Sequence, residues 1–168
     1  MSEVTILKAL DRGIAKIEKI VCIISLTLMI AITFVNVASR FVFHLSFSFA
    51  EEITTGLFVL TSLMGSAIGV RKHMHLGLNV LTDALPAPAQ HILVLLANII
   101  GFVFCVYMAY LGFGMAWQEY VTGQITAAMQ APEWIFGIML PIGFIFIAIR
   151  FGMEVIWNLK HEEAGEYE

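Results

Sequence analysis

The chain has 168 residues, of which 60% are hydrophobic and only 13% charged, with a formal net charge of −4. Soluble domains are about half apolar and about a quarter charged, so this composition excludes the soluble globular class and points to a membrane protein. The total charge says little by itself; the placement of the few charges carries the information, and no nucleic acid is expected among the partners.

In chain order, Leu7, Leu10, Ile14, Ile17 and Val21 recur at steps of three and four, with Lys8, Asp11, Arg12, Lys16 and Lys19 elsewhere on the wheel. This is either an amphipathic helix at the membrane surface or the solvated stem of the first span. Lys19 and Arg40 then enclose Ile20–Ser39, Glu52 and Arg71 enclose Ile53–Val70, and His91 and Glu119 enclose a long uncharged run through Ile92–Trp117. Each approaches or exceeds the roughly 20 residues that cross about 30 Å of hydrocarbon as a helix. A fourth run, Trp134–Ile149, continues to Trp157 because Arg150 can snorkel. The fold expected is all-α, a single membrane domain with spans at 20–39, 53–70, 92–116 and 133–157. The first run is too long in its apolar region for a cleaved signal peptide, no clean small-residue cleavage site follows it, and it should stay as an anchor.

Between the first two spans, "RFVFHLSFSFAEE" places Arg40 across a short hairpin from Glu51 and Glu52. Arg40 is expected to pair with Glu51, with Glu52 or with a partner chain; the alternative is an interfacial anchor opposite two carboxylates that match a helix dipole. Phe41, Phe43, Phe47 and Phe49 suit headgroup burial or packing against another subunit. The loop 71–91 has room for a short interfacial helix before Pro86 and Pro88, and Pro132-Glu133 reads as the start of the fourth helix. The tail 158–168 is acidic, without apolar periodicity, and is read as solvated. Lys8, Arg12, Lys16, Lys19, Arg71, Lys72 and Lys160 gather at one side, so the positive-inside rule puts both termini and the 71–91 loop in the cytoplasm.

Helix faces suggest where the spans meet protein. Cys22, Ser25, Met29, Thr33, Asn36 and Arg40 form one seam; Glu51, Thr55, Ser62, Ser66 and Gly69 form a second, with Phe58 its one large member. Ala97, Gly101, Cys105, Ala109, Gly112 and Ala116 form a third. Small residues let helix backbones approach closely, so the two helices that carry the second and third seams are expected to be packing partners, within this chain or in another.

The chemistry-bearing residues are sparse. Cys22 and Cys105 lie in separate spans, which disfavours a disulfide or a thiolate metal site. No histidine lies deep in a span, so a haem or metal role is not expected, and no ionisable group sits near a span centre as a proton pathway requires. Arg150 and Glu154, four apart, are placed to pair along their own helix. With no nucleotide loop, nucleophile elbow or zinc signature, the chain is not expected to be an enzyme or to hold a cofactor.

The order Asn36, Arg40-Phe41, Ser48, Glu51-Glu52, Gly65, Arg71, His75, Leu140-Pro141-Ile142-Gly143 and Arg150 resembles the small membrane subunit of tripartite ATP-independent periplasmic (TRAP) transporters, the DctQ-like family. The resemblance covers nearly the whole chain. It departs in one place: where the family usually has an aromatic before its Ser-Glu-Glu-like element, this chain has Phe49-Ala50 before Glu51-Glu52. It implies a bacterial inner-membrane scaffold beside a much larger membrane subunit that carries the substrate and sodium sites, with a periplasmic binding protein delivering an organic anion such as a C4-dicarboxylate or a sialic acid. Asn36, Arg40, Glu51, Glu52, Gly65, Arg71, His75, Pro141, Gly143 and Arg150 are then candidate structural or subunit-interface residues. The rival class is a self-contained membrane protein: a small homo-oligomeric channel, an efflux transporter or a cytochrome-like redox subunit.

Overall fold

The computed structural model describes residues 2–72 and 87–163. They form helices α1 (Ser2–Val42), α2 (Ser48–Arg71), α3 (Ala87–Thr122), α4 (Trp134–Gly137) and α5 (Met139–Glu163). Among the described residues there is no strand, only an isolated bridge between Ile125 and Pro132. Four stretches are long and apolar enough to cross a membrane: Ala9–Val42, Ser48–Arg71, Ile92–Thr122 and Trp134–Asn158.

Helix α1 decides between the two readings of the N-terminal segment. Its 41 residues are continuous, so stem and span are one helix. At about 1.5 Å per residue it is about 62 Å long, roughly twice the hydrocarbon thickness. The fourth span opens differently from expectation. Pro132 is held in the bridge to Ile125, α4 runs only from Trp134 to Gly137, and α5 starts afresh at Met139. Pro141 has no N–H to offer the carbonyl of Gly137, so the helical ladder is interrupted there. At the other end α5 reaches Glu163, and residues 158–163, expected in the solvated tail, are helical. The helix expected within the 71–91 loop, His75 and the rest of the tail lie outside the described residues.

The helices form an open layer in the order α1, α2, α5, α3, with α4 leaning on α3; α1 and α3 do not pack on each other. The reason is visible in the side chains. The small ladder of α3 receives α5: a Cβ at Gly101 would stand 2.8 Å from the Phe151 ring, and one at Gly112 would stand 3.2 Å from Pro141. On the other side of α5, a Cβ at Gly143 would stand 2.5 Å from Leu63 of α2. Ala67 and Val70 of α2, Cys105 of α3, and Ile147 and Ala148 of α5 close the core between them. The seams of α2 and α3 therefore do not meet each other, because α5 lies between these helices.

On α1 the side turned to α2 carries Glu18, Ser25 and Ser39 buried, and Cys22, Met29 and Asn36 half-buried. Thr33 and Arg40, expected on the same seam, are exposed. An open layer leaves its flanks bare: only 6% of the most apolar window of α1 and 11% of that of α3 is buried, against 22% and 28% for α2 and the fourth span.

Candidate functional site

Two polar constructions stand at opposite ends of the layer. At the end where α1 begins, Arg150 of α5 reaches across to α1. Its Nε and Nη2 donate to the two oxygens of Glu18, at 2.8 and 2.7 Å, and its Nη1 donates to Asp11. Asp11 in turn accepts from Nε and Nη2 of Arg71, the last residue of α2, at 2.9 and 2.7 Å. The result is a ladder of alternating charge, Glu18, Arg150, Asp11, Arg71, with no net charge.

Glu18 is fully buried and Arg150 is 2% exposed, whereas Asp11 and Arg71 are about a third open. Two bidentate guanidinium–carboxylate contacts are the geometry in which arginine interacts most strongly. Burial makes each partner necessary to the other, because an isolated charge in an apolar interior is costly. Arg150, expected to pair along α5 with Glu154, thus commits its guanidinium to α1. It does so because Asp11 and Glu18, seven apart, stack on the side of α1 that faces the layer. Sequence reasoning assigned neither carboxylate a role; their seven-residue spacing, continued by Ser25, is the signal that would have found them.

At the other end, two loops are pinned by side chains. Asn36 Oδ1 accepts the Phe47 backbone N–H at 2.8 Å, fixing the entry into α2, while His44 turns the hairpin with a φ of 53°. The α3–α4 connection folds into its own hairpin: Thr126 N–H donates to the Ala131 carbonyl at 2.8 Å, Glu133 N–H donates to that of Gln124 at 3.0 Å, and Gln130 turns at a φ of 52°. Its tip sits on α2, where the Glu52 carboxylate accepts from the amides of Ala128 and Met129 at 2.6 and 3.0 Å.

Within this chain the expected pair of Arg40 with Glu51 or Glu52 is therefore not made. Glu52 is engaged by the loop amides, Glu51 and Arg40 point outward and are exposed, and Arg40 has no partner among the described residues. Replacing Glu52 with Gln leaves the loop with a neutral and weaker acceptor. Hydrogen exchange should then speed up at Ala128 and Met129, with α1 and α5 unchanged.

The remaining candidates separate into packing and open positions. Pro141 is fully buried against Gly112, and Gly143 against Leu63. Gly65 and Gly69 have open space where a Cβ would stand, and Glu51, Thr55, Phe58, Ser62 and Ser66 on the same side of α2 are exposed. The hydroxyls of Thr55 and Ser66 donate back to the carbonyls of Glu51 and Ser62 at 2.8 and 2.9 Å, which satisfies them without water. The open face of α5 is quite different, a row of Ile142, Ile145, Ile149 and Ile156.

Comparison with known proteins gives a consistent result. Residues 29–161 match the family model described as tripartite ATP-independent periplasmic transporters, DctQ component. The ectoine TRAP transporter small permease protein TeaB of Halomonas elongata is 26% identical over 158 residues, which is 94% of this chain and 82% of that protein. The C4-dicarboxylate TRAP transporter small permease protein DctQ of Rhodobacter capsulatus is 30% identical over 121 residues, 69% of this chain and 53% of that protein. The sialic acid TRAP transporter permease protein SiaT of Haemophilus influenzae is 31% identical over 138 residues, 80% of this chain but only 22% of a much longer polypeptide.

Proposed function

Because the chain belongs to the family of DctQ components of tripartite ATP-independent periplasmic transporters, we propose that it is the scaffold subunit of a sodium-driven importer. It works beside a large membrane subunit that carries the substrate and sodium sites. The family is one of transporter subunits, which is not an enzyme class. The protein is a multi-pass membrane protein; we place it in the bacterial inner membrane with both termini cytoplasmic, following the basic residues at the ladder end. A periplasmic binding protein delivers the solute, an organic anion of the C4-dicarboxylate or sialic acid class. The three relatives are named for ectoine, C4-dicarboxylate and sialic acid.

The observation that carries this reading is the unfinished layer. A small transporter acting alone encloses its pathway, whereas here both flanking helices are almost bare and α2 turns a face of Thr55, Ser62, Gly65 and Ser66 outward. Large aliphatic side chains suit lipid, as on α5. Small and hydroxylated residues suit the close approach of another helix. The long SiaT polypeptide, in which a segment like this chain is continuous with a much larger remainder, supports a large membrane subunit as the neighbour.

The test is co-purification and reconstitution. The chain should purify with a larger membrane subunit, and the pair should take up solute from its binding protein when a sodium gradient is imposed. Uptake by a homo-oligomer of this chain alone would overturn the proposal and favour the self-contained channel. Leucine at Ser62 and Ser66 should abolish co-purification while shifting the stability of the isolated chain by no more than about 0.5 kcal/mol, as for other exposed sites.

A further inference from the structure

Arg40, which has no partner among the described residues, stands one helical turn beyond a groove. The groove lies between α1 and α2 at the end where the hairpin turns, and its volume is about 230 Å³. Ala31, Val35 and Asn36 of α1 line one side; Phe47, Phe49 and Ala50 at the start of α2 line the other, the two phenylalanine rings 5.4 Å apart. Val35 and Phe49 are exposed, so the groove is open along its length. It is also smaller than the roughly 300–1,000 Å³ of pockets that enclose a small solute, and it is not a transport chamber.

Asn36 is the one polar side chain in the lining. Its Oδ1 accepts the Phe47 N–H, which only the oxygen of the amide can do, so Nδ2 is fixed as a pair of donors. Among the described residues those donors meet no acceptor. Arg40 follows four residues later on the same unbroken helix, about 6 Å nearer the end of the span. Neither carboxylate of the hairpin answers it. Glu52 is held by the amides of Ala128 and Met129, and Glu51 lies about 100° and 200° round α2 from Ala50 and Phe49. From the boundary inward, α1 thus presents a free cation, a free amide donor one turn deeper, and then an apolar wall.

A glycerophospholipid has the complementary order: phosphate, ester carbonyls, acyl chains. We infer that the groove holds a phospholipid of the leaflet at this end, with its phosphate on Arg40, an ester carbonyl on the Asn36 amide and an acyl chain between Val35 and Phe49. The guanidinium suits a phosphate because its donors form a fork, and its apolar stem can lie along the helix. A helix of another chain fits less well. Leu28, Val35 and Val42, seven apart on α1, run past the groove as exposed aliphatic side chains, where close helix packing asks for small ones. Phe49 and Ala50 also lie on the side of α2 away from Thr55 and Ser62, so a large subunit on that face leaves the groove open.

The test is photocrosslinking of the full chain in nanodiscs with two probes that carry the same diazirine-bearing acyl chain, phosphatidylethanolamine and diacylglycerol, of which the second lacks the phosphate. The phosphatidylethanolamine probe should label the peptides that contain Val35 and Phe49 in preference to the diacylglycerol probe. Arg40→Gln should lower that preference about tenfold, as for the loss of a hydrogen bond to a charged group, and Arg40→Lys should restore part of it. Asn36→Asp keeps an acceptor for the Phe47 N–H but removes the amide donors, and it should lower the preference too. Ala31→Phe fills the groove and should reduce labelling by both probes. Equal labelling of these peptides by the two probes overturns the inference, and so does an undiminished preference in Arg40→Gln. A loss as large in Lys72→Gln, at the opposite end, also overturns it, since charge anywhere would then suffice. These measurements need only this chain, so they stand or fall apart from the transport reading. In the complex with the large subunit the labelling should persist; its disappearance there means that protein fills the groove and overturns the inference, while the co-purification itself still supports the scaffold.

Discussion

Replacing Arg150 with Met lowers the stability of the helix layer by about 3–5 kcal/mol, the range for breaking one partner out of a buried ion pair. The variant leaves Glu18 fully buried without the guanidinium that grips both its oxygens, while Asp11 keeps Arg71. Glu18→Met costs less, because Arg150 retains its contact with Asp11. The double variant, Glu18→Met with Arg150→Met, recovers most of the loss: an apolar pair of similar volume carries no uncompensated charge. The measurement is denaturant unfolding in mixed micelles, and the order of stability should be wild type, double variant, Glu18→Met, then Arg150→Met. A double variant as unstable as the sum of the singles would mean that the two residues contribute independently, against the geometry. Because α1 packs on α2 and not extensively on α5, the same variants should free the start of α1 from the layer, seen as faster exchange in residues 9–20.

The second large effect comes from one methyl group. Gly143→Ala places a Cβ 2.5 Å from the Cβ of Leu63. That atom is fixed to the α2 backbone, so no rotamer change relieves the contact and α2 and α5 must separate. Overpacking of this kind costs about 1–3 kcal/mol, outweighing the gain of roughly 0.8–1.0 kcal/mol that alanine brings over glycine in a helix. Gly65→Ala is the control on α2. Its Cβ meets nothing, so it should gain stability from helix propensity while intruding on any helix docked there. Melting of the purified chain separates the two, and co-purification with the large subunit should reverse their ranking.

The candidates were legible in unequal ways. Arg71 and Arg150 stand out because cations are rare in this chain and each sits near the end of a span, yet their partners are invisible from local sequence. Asp11 reads as one of the polar residues of an amphipathic stem and Glu18 carries no reading of its own, although both border the apolar stripe on the wheel. Which polar side meets protein depends on which helix lies alongside. Arg40 shows the opposite case. Opposite charges beside a short hairpin suggested a pair, but Glu52 had better acceptor work in the amides of a loop 76 residues away. The small seam of α3 packs on α5 and not on the similar seam of α2, so within this chain the two seamed helices are not partners.

By itself the sequence determined the material of the protein: four apolar helices, the sparse charges at their ends, and the small residues along α2 and α3. Those properties follow from hydrophobicity and helical periodicity, which are local. The order of the helices, the neutral ladder across three of them, and the outward turn of the α2 face were decided only by the tertiary structure. In lipid there is no general hydrophobic force to rank one helix pair above another. The choice falls to particular close approaches, such as Gly143 on Leu63 and Gly101 on Phe151, and to charges that must find a partner once buried.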